Sequence, residues 1–175
     1  AGGGKITGAT SGAILTNASG KNMEVNLYSG TFTGNHAKSS GGAIVIQGQC
    51  TFNMYGGAIT GNSATSYLKT DADGKVILDK DGNQTYQSSN GGGLYVANGV
   101  FNMYGGEISK NKTTEIGYLK AGATTETVTG GIGGGVHITA AAKANLYGGK
   151  ISGNTAYNGG GVFLSGADTE LNLIG

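Results

Sequence analysis

Residues 41–62 read GGAIVIQGQCTFNMYGGAITGN. Two glycine pairs, Gly41-Gly42 and Gly56-Gly57, precede the apolar runs Ala43 to Ile46 and Ala58-Ile59, and between them lies Phe52-Asn53-Met54-Tyr55. Short runs in which apolar residues recur at every second position are the pattern of half-buried β-strands. Glycines at the joints supply the backbone angles that sharp bends require. The stretch closes on Thr60-Gly61-Asn62, and Asn tolerates the left-handed angles of a corner.

The same phrase recurs along the chain. Asn-Met-Tyr-Gly-Gly at Asn53 is matched at Asn102, by Asn145-Leu146-Tyr147-Gly148-Gly149, and more loosely at Asn26 and Asn172. These asparagines are separated by 27, 49, 43 and 27 positions, which defines a 27-residue unit with insertions in two copies. Each unit carries three strand signals. The first is Ile44 to Ile46 and its equivalents starting at Ile14, Leu94, Val136 and Val162; the second is the Phe52 run; the third centres on Ile6, Phe32, Ile59, Ile108 or Ile151. One such unit cannot bury its apolar face, whereas stacked copies make a continuous core. Three strands per unit predict an all-β parallel β-helix, or solenoid, of about five 27-residue rungs, spaced about 4.8 Å. Two inward columns follow: Val25, Phe52, Phe101, Ala144 and Leu171, and beside it Leu27, Met54, Met103, Leu146 and Leu173. The corner asparagines Asn35, Asn62, Asn111 and Asn154 are placed to bond one another as a ladder, which fades at Ala9.

Composition agrees and excludes much else. Of 175 residues, 37 are glycine, and proline, tryptophan and arginine are absent. Collagen would need proline in a strict triplet, and a disordered linker would not be 37% hydrophobic. A net charge of +1 gives no electrostatic footprint for nucleic acid or an anionic membrane. No apolar run reaches the ~20 residues of a membrane span, so direct membrane insertion is not expected. The single cysteine, Cys50, allows no internal disulfide and no cysteine-rich metal site. The opening AGGGKITGAT lacks the charged and apolar regions of an export signal. With no capping element at either end, residues 1–175 are expected to be one β-helix domain cut from a longer solenoid.

The glycine-rich turns and Asn corners resemble right-handed parallel β-helix proteins of the pectate-lyase-like type. More narrowly, Gly41-Gly42-Ala43-Ile44, Gly56-Gly57-Ala58-Ile59 and Phe32-Thr33-Gly34-Asn35 are similar to the GGAI and FxxN repeats of chlamydial polymorphic outer-membrane proteins. The resemblance covers the chain apart from its insertions. It implies a right-handed, single-stranded β-helix and an extracellular place on a bacterial surface, as an adhesin stalk. The implied partners are a host or matrix glycan or protein.

Candidate functional residues lie on the outside. Alternation turns Tyr28, Tyr55, Tyr104 and Tyr147 outward as an aromatic stripe, which suits a stacking platform or a ladder that stiffens the solenoid. Leu15, Val45, Tyr95, His137 and Phe163 form a second outward column, more apolar than a free face should be. It fits coverage by inserted loops or by a partner. The insertions, residues 63–90 and 112–133, leave at the same corner and are expected to form one side lobe. They share Tyr67-Leu68-Lys69 and Tyr118-Leu119-Lys120. The first reads as a meander with Asp-Gly turns at Asp73-Gly74 and Asp81-Gly82. Tyr67, Tyr86 and Tyr118 are its candidate contact residues.

Asp71, Asp73, Asp79 and Asp81 raise calcium, but their spacing lacks the distal Glu of a calcium loop, so no cofactor or metal is expected. Elimination on a polysaccharide needs acidic calcium ligands and a strong base, and hydrolysis needs carboxylates ~5–9.5 Å apart. With no arginine and with scattered acids, no catalytic residue is assigned. The expected function is a non-catalytic adhesin-like stalk or binding module. The alternatives are non-catalytic rungs of a polysaccharide lyase or glycoside hydrolase, and a head-to-tail filament subunit with neighbouring copies as partners.

Overall fold

The structure is a computed structural model that describes residues 3–175, with the side chains of 18–21 excepted; residues 1 and 2 of the expected domain lie outside the described residues. It is all-β, and no helix occurs among the described residues. Its large sheets are parallel, as a β-solenoid requires.

Three stacks carry the repeated signals. Lys5–Thr7, Thr31–Thr33, Ala58–Thr60, Glu107–Ser109 and Lys150–Ser152 form a 5-stranded parallel sheet in that order. The Phe52 run and its equivalents pair in register, Val25 with Phe52, Phe52 with Phe101, Phe101 with Ala144, and Ala144 with Leu171. Ile14, Ile44, Leu94, Val136 and Val162 align in the same way. The last two stacks join into a 9-stranded sheet because Ile44–Met54 is one unbroken strand that belongs to both. A fourth, smaller stack joins His36–Lys38, Ser63–Thr65 and Lys112–Thr113 immediately after the Asn corners. Parallel pairing therefore continues into the first residues of both insertions.

The core lies between these stacks. Phe52, Met54, Ile59, Leu94, Phe101 and Ile108 are fully buried. The rings of Phe52 and Phe101 stack with centroids 5.5 Å apart. At the two ends the columns open: Ile6 is 42% and Leu173 76% exposed.

The corner asparagines are bonded as a ladder, with Asn35, Asn62 and Asn111 buried and Asn154 half-buried. Asn35 Nδ2 donates to Asn62 Oδ1, Asn62 Nδ2 to Asn111 Oδ1, and Asn111 Nδ2 to Asn154 Oδ1, at 2.9–3.0 Å. Each Oδ1 also accepts the backbone N–H of the preceding asparagine, and each Nδ2 also donates to a carbonyl of the third-strand stack. At Ala9 the side chain is missing but the backbone N–H still donates to Asn35 Oδ1 at 3.1 Å. Buried amides satisfied on both sides fix the corner. The turn beside the ladder approaches it closely at Gly93, where a Cβ would lie 2.9 Å from Asn111 Nδ2, while Ala43 holds the equivalent position one rung away.

The second outward column is partly enclosed. Val45 and His137 are buried, Tyr95 and Phe163 half-buried, and Leu15 exposed. The left-handed corner glycines close on it, since a Cβ at Gly41 would strike Val45 Cγ2 and one at Gly133 would lie 2.8 Å from His137 Cβ.

Candidate functional site

The first insertion folds as the meander its turns announce. Tyr67–Leu68 pairs antiparallel with Tyr86–Gln87, and bridges join Thr70 to Val76 and Leu78 to Gln84. Its two Asp turns share one construction. Asp71 Oδ1 accepts the N–H groups of Asp73 and Lys75, and Asp79 Oδ1 those of Asp81 and Asn83, all at 2.9–3.0 Å. This is the turn-forming use of an Asp side chain. The Asn83 side-chain amide also donates to Asp79 at 2.9 Å, which holds that carboxyl below its ordinary range. Among the described residues no three acidic, His or Cys side chains converge as metal ligands.

The second insertion is a hairpin, Glu115–Tyr118 with Thr127–Gly130. It meets the first. Gln84 N–H donates to Leu119 O at 2.8 Å, and Leu119 N–H donates back to Gln84 Oε1 at 2.9 Å. Ala121 N–H donates to Asn83 Oδ1 at 3.0 Å. The rings of Tyr86 and Tyr118 touch with centroids 4.7 Å apart and planes tilted by 40°. Where the insertions leave the stack, Ser66, Ser89 and Thr114 are tied together. Ser66 Oγ donates to Thr114 O at 2.7 Å and lies 3.0 Å from Ser89 Oγ.

Between the insertions is a polar cleft of about 610 Å³, lined by Lys69, Asp79, Asn83, Gln84, Thr85, Tyr86, Tyr118 and Lys120. Two of the three tyrosines singled out in the insertions therefore share one site. Tyr67 does not line it: Lys38 Nζ sits 5.9 Å from its ring centroid. Lys69, Lys120, Asn83 and Gln84 were not anticipated as site residues.

The aromatic stripe is outward and regular. Tyr28, Tyr55, Tyr104 and Tyr147 stack with centroids 4.8–4.9 Å apart and planes within 7°. Tyr28 is 68% exposed and the other three 43–44%. Lost solvation, with the adjacent phenols of Tyr28 and Tyr104, raises the Tyr55 hydroxyl above its ordinary 10.0. Beside it runs an asparagine ladder that alternation did not reveal. Asn172 Nδ2 donates to Asn145 Oδ1, Asn145 to Asn102, Asn102 to Asn53, and Asn53 to Asn26, at 2.8–3.0 Å.

His137 Nε2 lies 2.8 Å from Ser165 Oγ, while its Nδ1 is buried without a partner. Tyr95 and Phe163 contact the ring edge-on from either side, at centroid distances of 5.3 and 5.5 Å. Burial pushes the imidazole down from 6.5 to about 4. A base in this position would need a third group to orient it, and Nδ1 has none. Cys50 is buried. No family model, no curated protein and no solved structure matches the chain.

Proposed function

We propose that the chain is a right-handed parallel β-helix of about five 27-residue turns that serves as a non-catalytic, adhesin-like stalk on a bacterial surface. Its two insertions form a side lobe that contacts a host or matrix glycan or protein outside the cell. The observation that carries this reading is the contact of two separate insertions with each other, through Gln84, Leu119 and the Tyr86–Tyr118 pair. Loops that merely tolerate length have no reason to build a shared, concave, polar surface, whereas binding segments on a rigid scaffold do. Against catalysis stand the missing arginine and the placement of Glu107 between Ala58 and Lys150 in its column. Asp71, Asp73, Asp79 and Asp81 serve the two turns of the first insertion, and no cofactor is part of this function.

The test replaces residues 69–85 by an Asn-Gly turn, which suits a two-residue hairpin and keeps Tyr67–Leu68 paired with Tyr86–Gln87. On glycan and matrix-protein arrays the intact chain binds and the shortened one loses at least tenfold. Undiminished binding after shortening would overturn the lobe reading. Release of unsaturated products or new reducing ends from polysaccharides would overturn the non-catalytic one.

A further inference from the structure

The hydrogen bonding of the cleft is one-sided. Its acceptors are occupied from within: Asn83 Oδ1 by Ala121 N–H, Gln84 Oε1 by Leu119 N–H, and Asp79 by Asp81 and Asn83. Its donors are not. Lys69 and Lys120 have no ion pair among the described residues; Lys80 and Lys143 are the lysines that do. The Gln84 amide nitrogen and the Tyr86 and Tyr118 hydroxyls also have no protein partner there. Two ammonium groups against the single Asp79 leave the cleft positive, although the whole chain carries only +1. A concave site that offers donors, positive charge and an aromatic wall selects an acceptor-rich anion with an apolar ring face. The two rings are already in contact and tilted by 40°, which leaves no parallel slot for a flat base.

We propose that the cleft binds an acidic saccharide, whose ring packs on Tyr86 and Tyr118 and whose carboxylate or sulfate meets Lys69 and Lys120. This rests on the reading of the insertions as the binding element and adds the charge of the ligand to it.

The experiment titrates the chain with three oligosaccharides of matched length: hyaluronan (carboxylate), dextran sulfate (sulfate) and dextran (neutral). Binding is followed by calorimetry and by backbone amide shifts at 0.15 M salt. At least one anionic oligosaccharide should bind at least tenfold more tightly than dextran, with shifts centred on residues 83–86 and 118–121, and the stronger of the two identifies the acid group. K69Q/K120Q should weaken that binding at least tenfold. K5Q/K75Q, which removes two exposed lysines outside the cleft, should leave it unchanged, and folding of each variant is checked by its amide spectrum. Equal losses in both double variants would reduce the effect to general charge attraction and overturn the inference. Equal binding of dextran at the same residues would overturn it while leaving the lobe reading intact. Failure of all three to bind would overturn it as well, and the array comparison with the shortened chain then decides the lobe reading separately.

Discussion

The side-chain amide of Asn62 makes four hydrogen bonds at once: it accepts the backbone and side-chain N–H of Asn35, and donates to Phe32 O and Asn111 Oδ1. Asn62→Ala would leave the Asn35 backbone N–H and one N–H of the Asn35 side-chain amide without partners in a buried site. Two such orphans cost about 4 kcal/mol together, read as a lower urea midpoint with an unchanged slope. Asn154→Ala should cost less, because Asn154 is half-buried and its nearest ladder partner is Asn111 alone. His137 makes a second, pH-dependent prediction. The unfolded imidazole takes its proton near 6.5 and the folded one near 4. Its contribution is therefore complete above pH 6.5 and is lost as the pH falls towards 4. Urea midpoints measured across that window should fall with acidification, and His137→Phe should flatten that part of the slope.

At the scale of elements, much was legible because the signal is periodic. Alternation in the Phe52 run placed Phe52, Met54, Phe101 and Met103 inside, and all four are buried. The corner asparagines were legible from spacing alone. The short strand after each corner was not, since its inward residues are Ala37, Ala64 and Thr113, too small or too polar to register as an apolar position. Gly48, with φ +70°, bends the chain within Gln47-Gly48-Gln49, yet strand pairing continues across it in Ile44–Met54. The outer ladder of Asn26, Asn53, Asn102, Asn145 and Asn172 looks in sequence like any solvated polar column. Only the register of neighbouring strands shows that its amides bond each other. Three of the eight residues that line the cleft, Lys69, Tyr118 and Lys120, belong to the repeated Tyr-Leu-Lys phrase. What the phrase hides is that its copies are used differently, for Lys69 and Lys120 both line the cleft while only Tyr118 of the two tyrosines does. Contacts across separate insertions leave no local pattern. Gln84→Ala removes the acceptor for Leu119 N–H, and hydrogen exchange at Leu119 and Ala121 should then quicken at least tenfold, with the Asn62 amide unchanged.

In the 175-residue chain the outermost strands of each parallel sheet pair on one side only, and the charges on them bear on stacking of one copy on another. A second copy stacked in register would set its Lys5 against Lys150 and its Glu24 against Glu170, following the columns Lys5–Thr31–Ala58–Glu107–Lys150 and Glu24–Thr51–Val100–Lys143–Glu170. Like charges directly opposite each other are destabilising, and charged edges are a device against sheet extension. The missing corner asparagine at position 9 would also interrupt the inner ladder at such a junction. Sedimentation of the 175-residue chain should show no head-to-tail series at micromolar concentration. K5E/E24K, which turns both contacts attractive, should increase association. Filaments of the unmodified chain would show that these like charges do not oppose stacking.

The tyrosine stripe makes the molecule its own optical gauge. There is no tryptophan to quench or mask the nine tyrosines, and four of them stack with nearly parallel rings in a column, neighbours less than 5 Å apart. Excitation absorbed by one phenol hops to its neighbours before emission, so light emitted by the column retains no memory of which ring absorbed it. Because Tyr28 belongs to the first copy of the repeated phrase and Tyr147 to the fourth, fraying from either extremity shortens the column ring by ring. Fluorescence depolarisation would then report how far along its axis the protein has come apart.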